Sequence, residues 1–206
     1  MFFEVLVEGG SDVPALKTIL ERRFAMVENR DFRIHPHRGK GRLPDNLVSR
    51  PVQARQGLLD QLPAKLRGYG RSLRPGYCVL VVVDADDDDC RELKQSLVAM
   101  LATLPARPPC VLFRIAVEET ESWFIADVGA VKAAYPGANT REISRIEPDS
   151  VTGAWEVLGQ AIGDRGVPDK RGWAERIAPH LRLDPPFSPS LGALIDGVQR
   201  VLDAPR

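Results

Sequence analysis

Apolar positions along this chain fall into two kinds of run. Four short runs lack any three- or four-residue spacing: Phe2 to Val7, Arg30 to His37, Tyr77 to Val83 and Pro109 to Val117. Their β-branched and aromatic content predicts strands. Between them the apolar residues recur at helical spacing. Val13, Leu16, Ile19, Leu20 and Phe24 form one stripe, and Leu58, Leu59, Leu62 and Leu66 a second. Leu93, Leu97, Met100, Leu101 and Leu104 form a third. Strand and helix alternate, so the expected class is α/β: a Rossmann-like, mainly parallel sheet of about four strands flanked by helices. Tyr77 to Val83 is apolar without interruption, as expected of a central strand covered on both faces.

Local punctuation agrees with this reading. Ser11 or Asp12 can cap the first helix, Pro14 falls in its first turn, and Gly9 and Gly10 permit a tight strand-to-helix turn. Pro36 cannot donate to a ladder, which puts the second strand near a sheet edge. After Phe124 the alternation stops, and Trp123 and Phe124 are expected to be core. Helices are predicted around Val128–Tyr135, Thr152–Ile162, Lys170–His180 and Leu191–Leu202, the last with an apolar stripe that must dock. The division expected is 1–126 for the α/β domain and 127–206 for a helical extension packed on it.

The chain has 206 residues, enough for one α/β domain with an appendage. It shows no long apolar run and no basic leader, so a soluble, cytoplasmic protein without a membrane partner is expected. Cys78, Cys90 and Cys110 have no zinc spacing and are expected to be reduced thiols. The formal net charge of zero hides a split. From Arg30 to Arg74 there are eleven Lys and Arg against three acids (Asp31, Asp45, Asp60). From Asp84 to Glu92 there are six acids against Arg91 alone. A basic segment facing an acidic pocket suits a polyanionic substrate, although a solvated basic face gives the same pattern.

The candidate chemistry sits where strands end. Asp84 and Asp86 follow the central strand at the edge where open α/β sheets hold ligands, and such clustered carboxylates call for a hard divalent cation. Asp87 and Asp89 are expected to be solvated residues at a helix N-terminus. Glu8 ends the first strand and is expected to join Asp84 and Asp86. Glu118 and Glu121 follow the fourth strand, one helical turn apart, and are expected to share a face. The glycine-rich segment His35 to Pro44 is not a P-loop, since no Ser or Thr follows Lys40, but Arg38, Lys40 and Arg42 can grip phosphate. His35 and His37 alternate along the second strand and are weaker candidates for metal ligands. Lys170, Arg171, Arg176 and His180 can add further cations.

A strand ending in Glu8-Gly9, then a helix, and later a strand ending in Asp84-Ala85-Asp86, resembles the topoisomerase–primase (TOPRIM) domain. In that fold the first glutamate and the two aspartates gather at one sheet edge and bind divalent metal. The resemblance is carried by Val7–Asp12, His35–Pro44, Val83–Cys90 and Arg114–Phe124, and extends to a bacterial family of TOPRIM-like proteins encoded beside AAA or SMC-like ATPases in phage-defence operons. It implies a nuclease that cleaves phosphodiester bonds of DNA or RNA with Mg²⁺ or Mn²⁺, regulated by an ATPase partner. Glu8, Asp84 and Asp86 would then be catalytic and metal-binding, and Asp12, Asp88, Glu118 and Glu121 would complete the metal set. Lys40 would neutralise charge in the transition state, with Lys170 able to do the same. Nucleic acid would lie against His37, Arg38, Lys40, Arg42, Lys170 and Arg171. The mechanism implied is in-line attack of water, activated by one ion while a second stabilises the leaving oxygen. The chain offers neither the tyrosine domain of a topoisomerase nor the zinc module of a primase, which favours hydrolysis.

Two alternatives remain at this stage. One is a metal-binding sensor or interaction module with no chemistry. The other is an Asp-x-Asp phosphatase of the haloacid-dehalogenase kind, for which the motif follows the third strand instead of the first and Glu8 has no task.

Overall fold

The computed structural model describes residues 1–49, 54, 56–164 and 166–205. Strand β1 (Phe2–Val7) leads to α1 (Asp12–Phe24), β2 (Phe32–Pro36), α2 (Leu58–Ser72), β3 (Tyr77–Asp84), α3 (Cys90–Thr103) and β4 (Val111–Ala116). Among the described residues five α-helices follow: α4 (Glu121–Ala126), α5 (Val128–Ala134), α6 (Ala154–Ile162), α7 (Lys170–Ile177) and α8 (Pro189–Asp203). The four strands are all parallel, in the order β2-β1-β3-β4. The chain is therefore an α/β protein with a parallel sheet flanked by helices, as expected of a Rossmann-like fold.

Two cores lie on the two faces of the sheet. On one, Phe3, Val5 and Val7 of β1 and Cys78, Leu80 and Val82 of β3 pack with α1 and with α4 to α8. On the other, Leu6, Val79, Val81 and Val83 pack with Leu58, Leu62 and Leu66 of α2 and Leu97 and Met100 of α3. Strand alternation sends successive residues of β3 into opposite cores, which is why Cys78 to Val83 are all buried. Helices α4, α7 and α8 share the core of β1 and α1: Trp123, Trp173, Leu191, Leu194 and Val198 belong to one cluster with Phe3. The stripe of α8 docks over β4.

Several expected boundaries are corrected. Ser11 makes no side-chain cap; the Asp12 carboxylate instead accepts the Gly9 N–H at 2.9 Å. Strand β2 is an edge strand but begins at Phe32, because Asp31 accepts the Val27 N–H and closes a turn before it. Strand β4 spans only Val111–Ala116; two residues on, Glu118 takes a left-handed conformation at φ 61°. Leu104 is buried but caps α3 in extended conformation.

Placement of the helices fixes where a ligand can go. The chain leaves β1 toward α1 on one face and leaves β3 toward α3 on the other. β1 and β3 are neighbours, so the loops beyond their C-terminal ends part and open a crevice there. Glu8 and Asp84 are the residues at that crevice.

Candidate functional site

The β1–β3 ladder runs to Leu6 opposite Val81. Past that point the Glu8 side chain supplies the acceptor: its Oε1 takes the Asp84 backbone N–H at 2.8 Å. An acid from the first strand is thereby fixed against the end of the third. Asp12, in the first turn of α1, accepts the Gly9 N–H and, on its other oxygen, the Thr120 hydroxyl at 3.3 Å. This ties the β1–α1 turn to the start of α4, whose first residue is Glu121. Asp12 and Glu121 are buried, at 6% and 3% exposure.

These acids also act on one another through charge. Burial pushes the Asp84 carboxyl well above its ordinary value, and Asp12, Glu8, Glu121 and Asp86 push it further. Glu8 is raised to about 8, chiefly by burial, against which the Asp84 N–H works. Glu121 is raised to about 7 by burial, opposed by Lys170. Asp12 is raised by burial, opposed by its hydrogen bonds to Gly9 and Thr120. Several carboxyls held together above their usual range mark a candidate functional or cation-binding site.

Two lysines flank the group. Backbone bonds of the segment after β2 (His37 N–H to Val7 O, Gly39 N–H to Glu8 O) carry it across the end of β1. Lys40 thus reaches the end of β3, donating to Ala85 O at 2.6 Å and pairing with Asp88 at 2.7 Å and Asp86 at 3.2 Å. It borders a cleft of about 570 Å³ with Gly41, Arg42, Asp86 and Asp88. On the other side Lys170, the first residue of α7, pairs with Glu119 at 2.8 Å and Glu121 at 3.7 Å and lies over the Trp155 ring. Neighbouring Arg171 donates to Gly10 O, so α7 reaches the β1–α1 turn.

Other expected site residues lie elsewhere. Glu118 does not share a face with Glu121: α4 starts only at Glu121, and Glu118 turns away to accept the Gly153 and Ala154 N–H groups. Glu119 takes its place, through Lys170 and the Trp155 N–H. Asp86 acts on Glu8 and Asp84 through its charge but is exposed on a left-handed residue, and Asp88 is tied to the group through Lys40. Asp89 caps α3, and Asp87 is exposed. His37 turns its nitrogens inward: Nδ1 meets Val7 O and Nε2 is buried without a partner, so neither ring nitrogen is presented to a ligand at the surface. His35 pairs with Glu4 at 2.6 Å, away from the acids. Arg38 and Arg42 are exposed; Arg50 and Arg55, counted in the basic stretch, lie outside the described residues. Sequence reasoning missed Glu119 and Thr120 as parts of the site. The start of a new helix after the fourth strand was the signal for both.

Among the described residues no three His, Cys, Asp or Glu side chains already stand as a ligand set for a metal ion. The donors gathered are nevertheless all carboxylate oxygens, the chemistry of Mg²⁺, Mn²⁺ and Ca²⁺ and not of softer metals. Glu8, Asp12, Asp84 and Glu121 are the residues that can hold such an ion. No helix of the described residues is long and apolar enough to cross a membrane. Comparison with protein-family models, curated proteins and solved structures finds no match.

Proposed function

We propose that this chain is a divalent-metal-dependent nuclease of the TOPRIM type, which hydrolyses phosphodiester bonds of DNA or RNA. The observation that carries the reading is the hydrogen bond from Asp84 N–H to Glu8 Oε1, with Asp12 and Glu121 in the same electrostatic group. Glu8, Asp12, Asp84 and Glu121 would hold Mg²⁺ or Mn²⁺. When bound, the ion supplies Lewis-acid activation of water and charge neutralisation at the phosphate. The rest falls to the chain. Lys40, 14% exposed and bordering the cleft, positions a phosphate oxygen and offsets its developing charge. Arg42, on the same cleft, and exposed Arg38 lie along the path of a polyanionic strand. Lys170 holds Glu119 and Glu121 in place, and Arg171 fixes α7 to the Gly10 turn. An ATPase partner of the AAA or SMC-like kind, acting with it in anti-phage defence, belongs to the same proposal.

The test is cleavage of labelled DNA and RNA with Mg²⁺ or Mn²⁺, for the wild type and Asp84→Asn. Metal-dependent cleavage lost in the variant supports the reading; equal cleavage by both removes this site from the chemistry. A second reading, a cation-binding module without turnover, is favoured by one observation: Asp86 and Asp88 are already neutralised by Lys40. Metal binding without cleavage of any nucleic acid selects it.

A further inference from the structure

Cys78 and Cys110 lie at the other end of the sheet from the acids. The β3–β4 register begins at Val79 opposite Val111, and the Val79 N–H donates to Cys110 O at 2.9 Å. One position earlier, Cys78 and Cys110 therefore stand side by side on adjacent parallel strands. Both side chains face the same core: Cys78 belongs to the cluster under α8, and Cys110 packs against it. Neighbouring strands are about 4.8 Å apart, within the roughly 4.4–6.8 Å range of Cα separations that a disulfide spans. The two thiols are free, and they differ in access. Cys78 is fully buried, whereas Cys110 borders an open cleft of about 740 Å³ with Tyr77, Leu112, Gly197 and Arg200.

We propose that Cys110 and Cys78 form a peroxide-reactive thiol pair, Cys110 the attacked sulfur and Cys78 the resolving one. The cleft admits hydrogen peroxide to Cys110. Its sulfur takes one oxygen and becomes a sulfenic acid, and the other peroxide oxygen leaves as water. The Cys78 sulfur then bonds to the Cys110 sulfur, and the hydroxyl leaves with the Cys78 proton as a second water. Two thiols lose two electrons and two protons, and the peroxide accepts them. Access to the two sulfurs supports this order, since Cys110 borders the cleft and Cys78 is fully buried. The neighbouring Cys78 also holds the Cys110 thiol below its ordinary value, whereas Cys110 and burial raise Cys78. Oxidation of the pair would tie β3 to β4 beneath α8, and it does not depend on what the acids at the opposite edge do.

The experiment uses the full chain with Cys90→Ser, because Cys90 shares a tryptic peptide with Cys78. The reduced protein is treated with hydrogen peroxide, alkylated, and digested without reductant. The expected result is a Cys78–Cys110 cross-linked peptide, two hydrogens lighter than the sum of its parts and reversed by dithiothreitol. With Cys78→Ser added, Cys110 is expected to give a dimedone adduct instead. Two alkylated thiols after peroxide, or Cys110 carried to sulfinic acid while Cys78 stays free, overturns the proposal. Should the Cys78→Ser protein not fold, the cross-link arm decides alone.

Discussion

Glu8 and Asp84, 76 positions apart in the chain, meet through the Asp84 N–H and the Glu8 carboxylate at 2.8 Å. That bond extends the β1–β3 pairing past its last backbone rung and fixes an acid at the point where the two loops diverge. It also separates two roles of Glu8, acceptor and charge. Glu8→Gln keeps an acceptor and removes the charge; Glu8→Ala removes both. In the metal-free protein at pH 8, Glu8→Gln is expected to raise Tm and Glu8→Ala to lower it. Differential scanning calorimetry of the two variants checks the pair.

The same acids set a pH dependence. Glu8 rises from 4.5 to about 8 on folding, and Glu121 to about 7. Between the unfolded and folded values the native state binds more protons than the unfolded one, so stability falls as pH rises through that interval. Metal-free protein is expected to lose Tm from about pH 4.5 to 8, and Asp84→Asn to flatten the slope. Saturating Mg²⁺ should remove the loss, since an ion bound only to the native state adds stability. A metal-free Tm that climbs over this range contradicts the burial of these carboxyls.

Lys170 joins the C-terminal helices to the acids. Lys170→Met leaves Glu119 and Glu121 without their cation; with Lys170 28% and Glu121 4% exposed, a cost of about 1–2 kcal/mol is expected. For a domain of this size that is a fall in Tm of several degrees. Adding Glu119→Gln to Lys170→Met should recover part of it. Equal Tm for Lys170→Met and wild type would show the pair to be solvated and idle.

Two glycines of α2 test the packing of the sheet's other face. An added Cβ at Gly68 meets nothing, so Gly68→Ala is expected to stabilise by about 1 kcal/mol through helix propensity. At Gly70 the same Cβ would lie 2.5 Å from the Arg107 backbone nitrogen, so Gly70→Ala is expected to destabilise. Urea denaturation of both variants reads the opposite signs.

Much of this was legible in the sequence because period and punctuation agreed. The unbroken apolar run identified a strand doubly covered from Cys78 to Val83, and Pro36 marked an edge strand. Convergence of Glu8 with Asp84 was foreseeable, since both end neighbouring parallel strands. What failed was reasoning by spacing where the backbone is irregular. Glu118 and Glu121 have helical separation, but Glu118 sits at positive φ before the helix begins, so the carboxylates point to different partners. His37 was expected beside Arg38 as a contact for nucleic acid; its Nδ1 meets Val7 O, a tertiary contact no local pattern reveals. Lys170 came within reach of Glu121 only because α7 packs against α1, again a long-range effect.

The central claim is that Glu8, just after β1, and acids of α1, β3 and α4 together hold a hard cation. Crystals soaked in Mn²⁺ and measured at the manganese absorption edge test it directly. The account predicts an anomalous peak among Glu8, Asp12, Asp84 and Glu121. A peak confined to the exposed Asp86–Asp89 loop, or none at all, would contradict it.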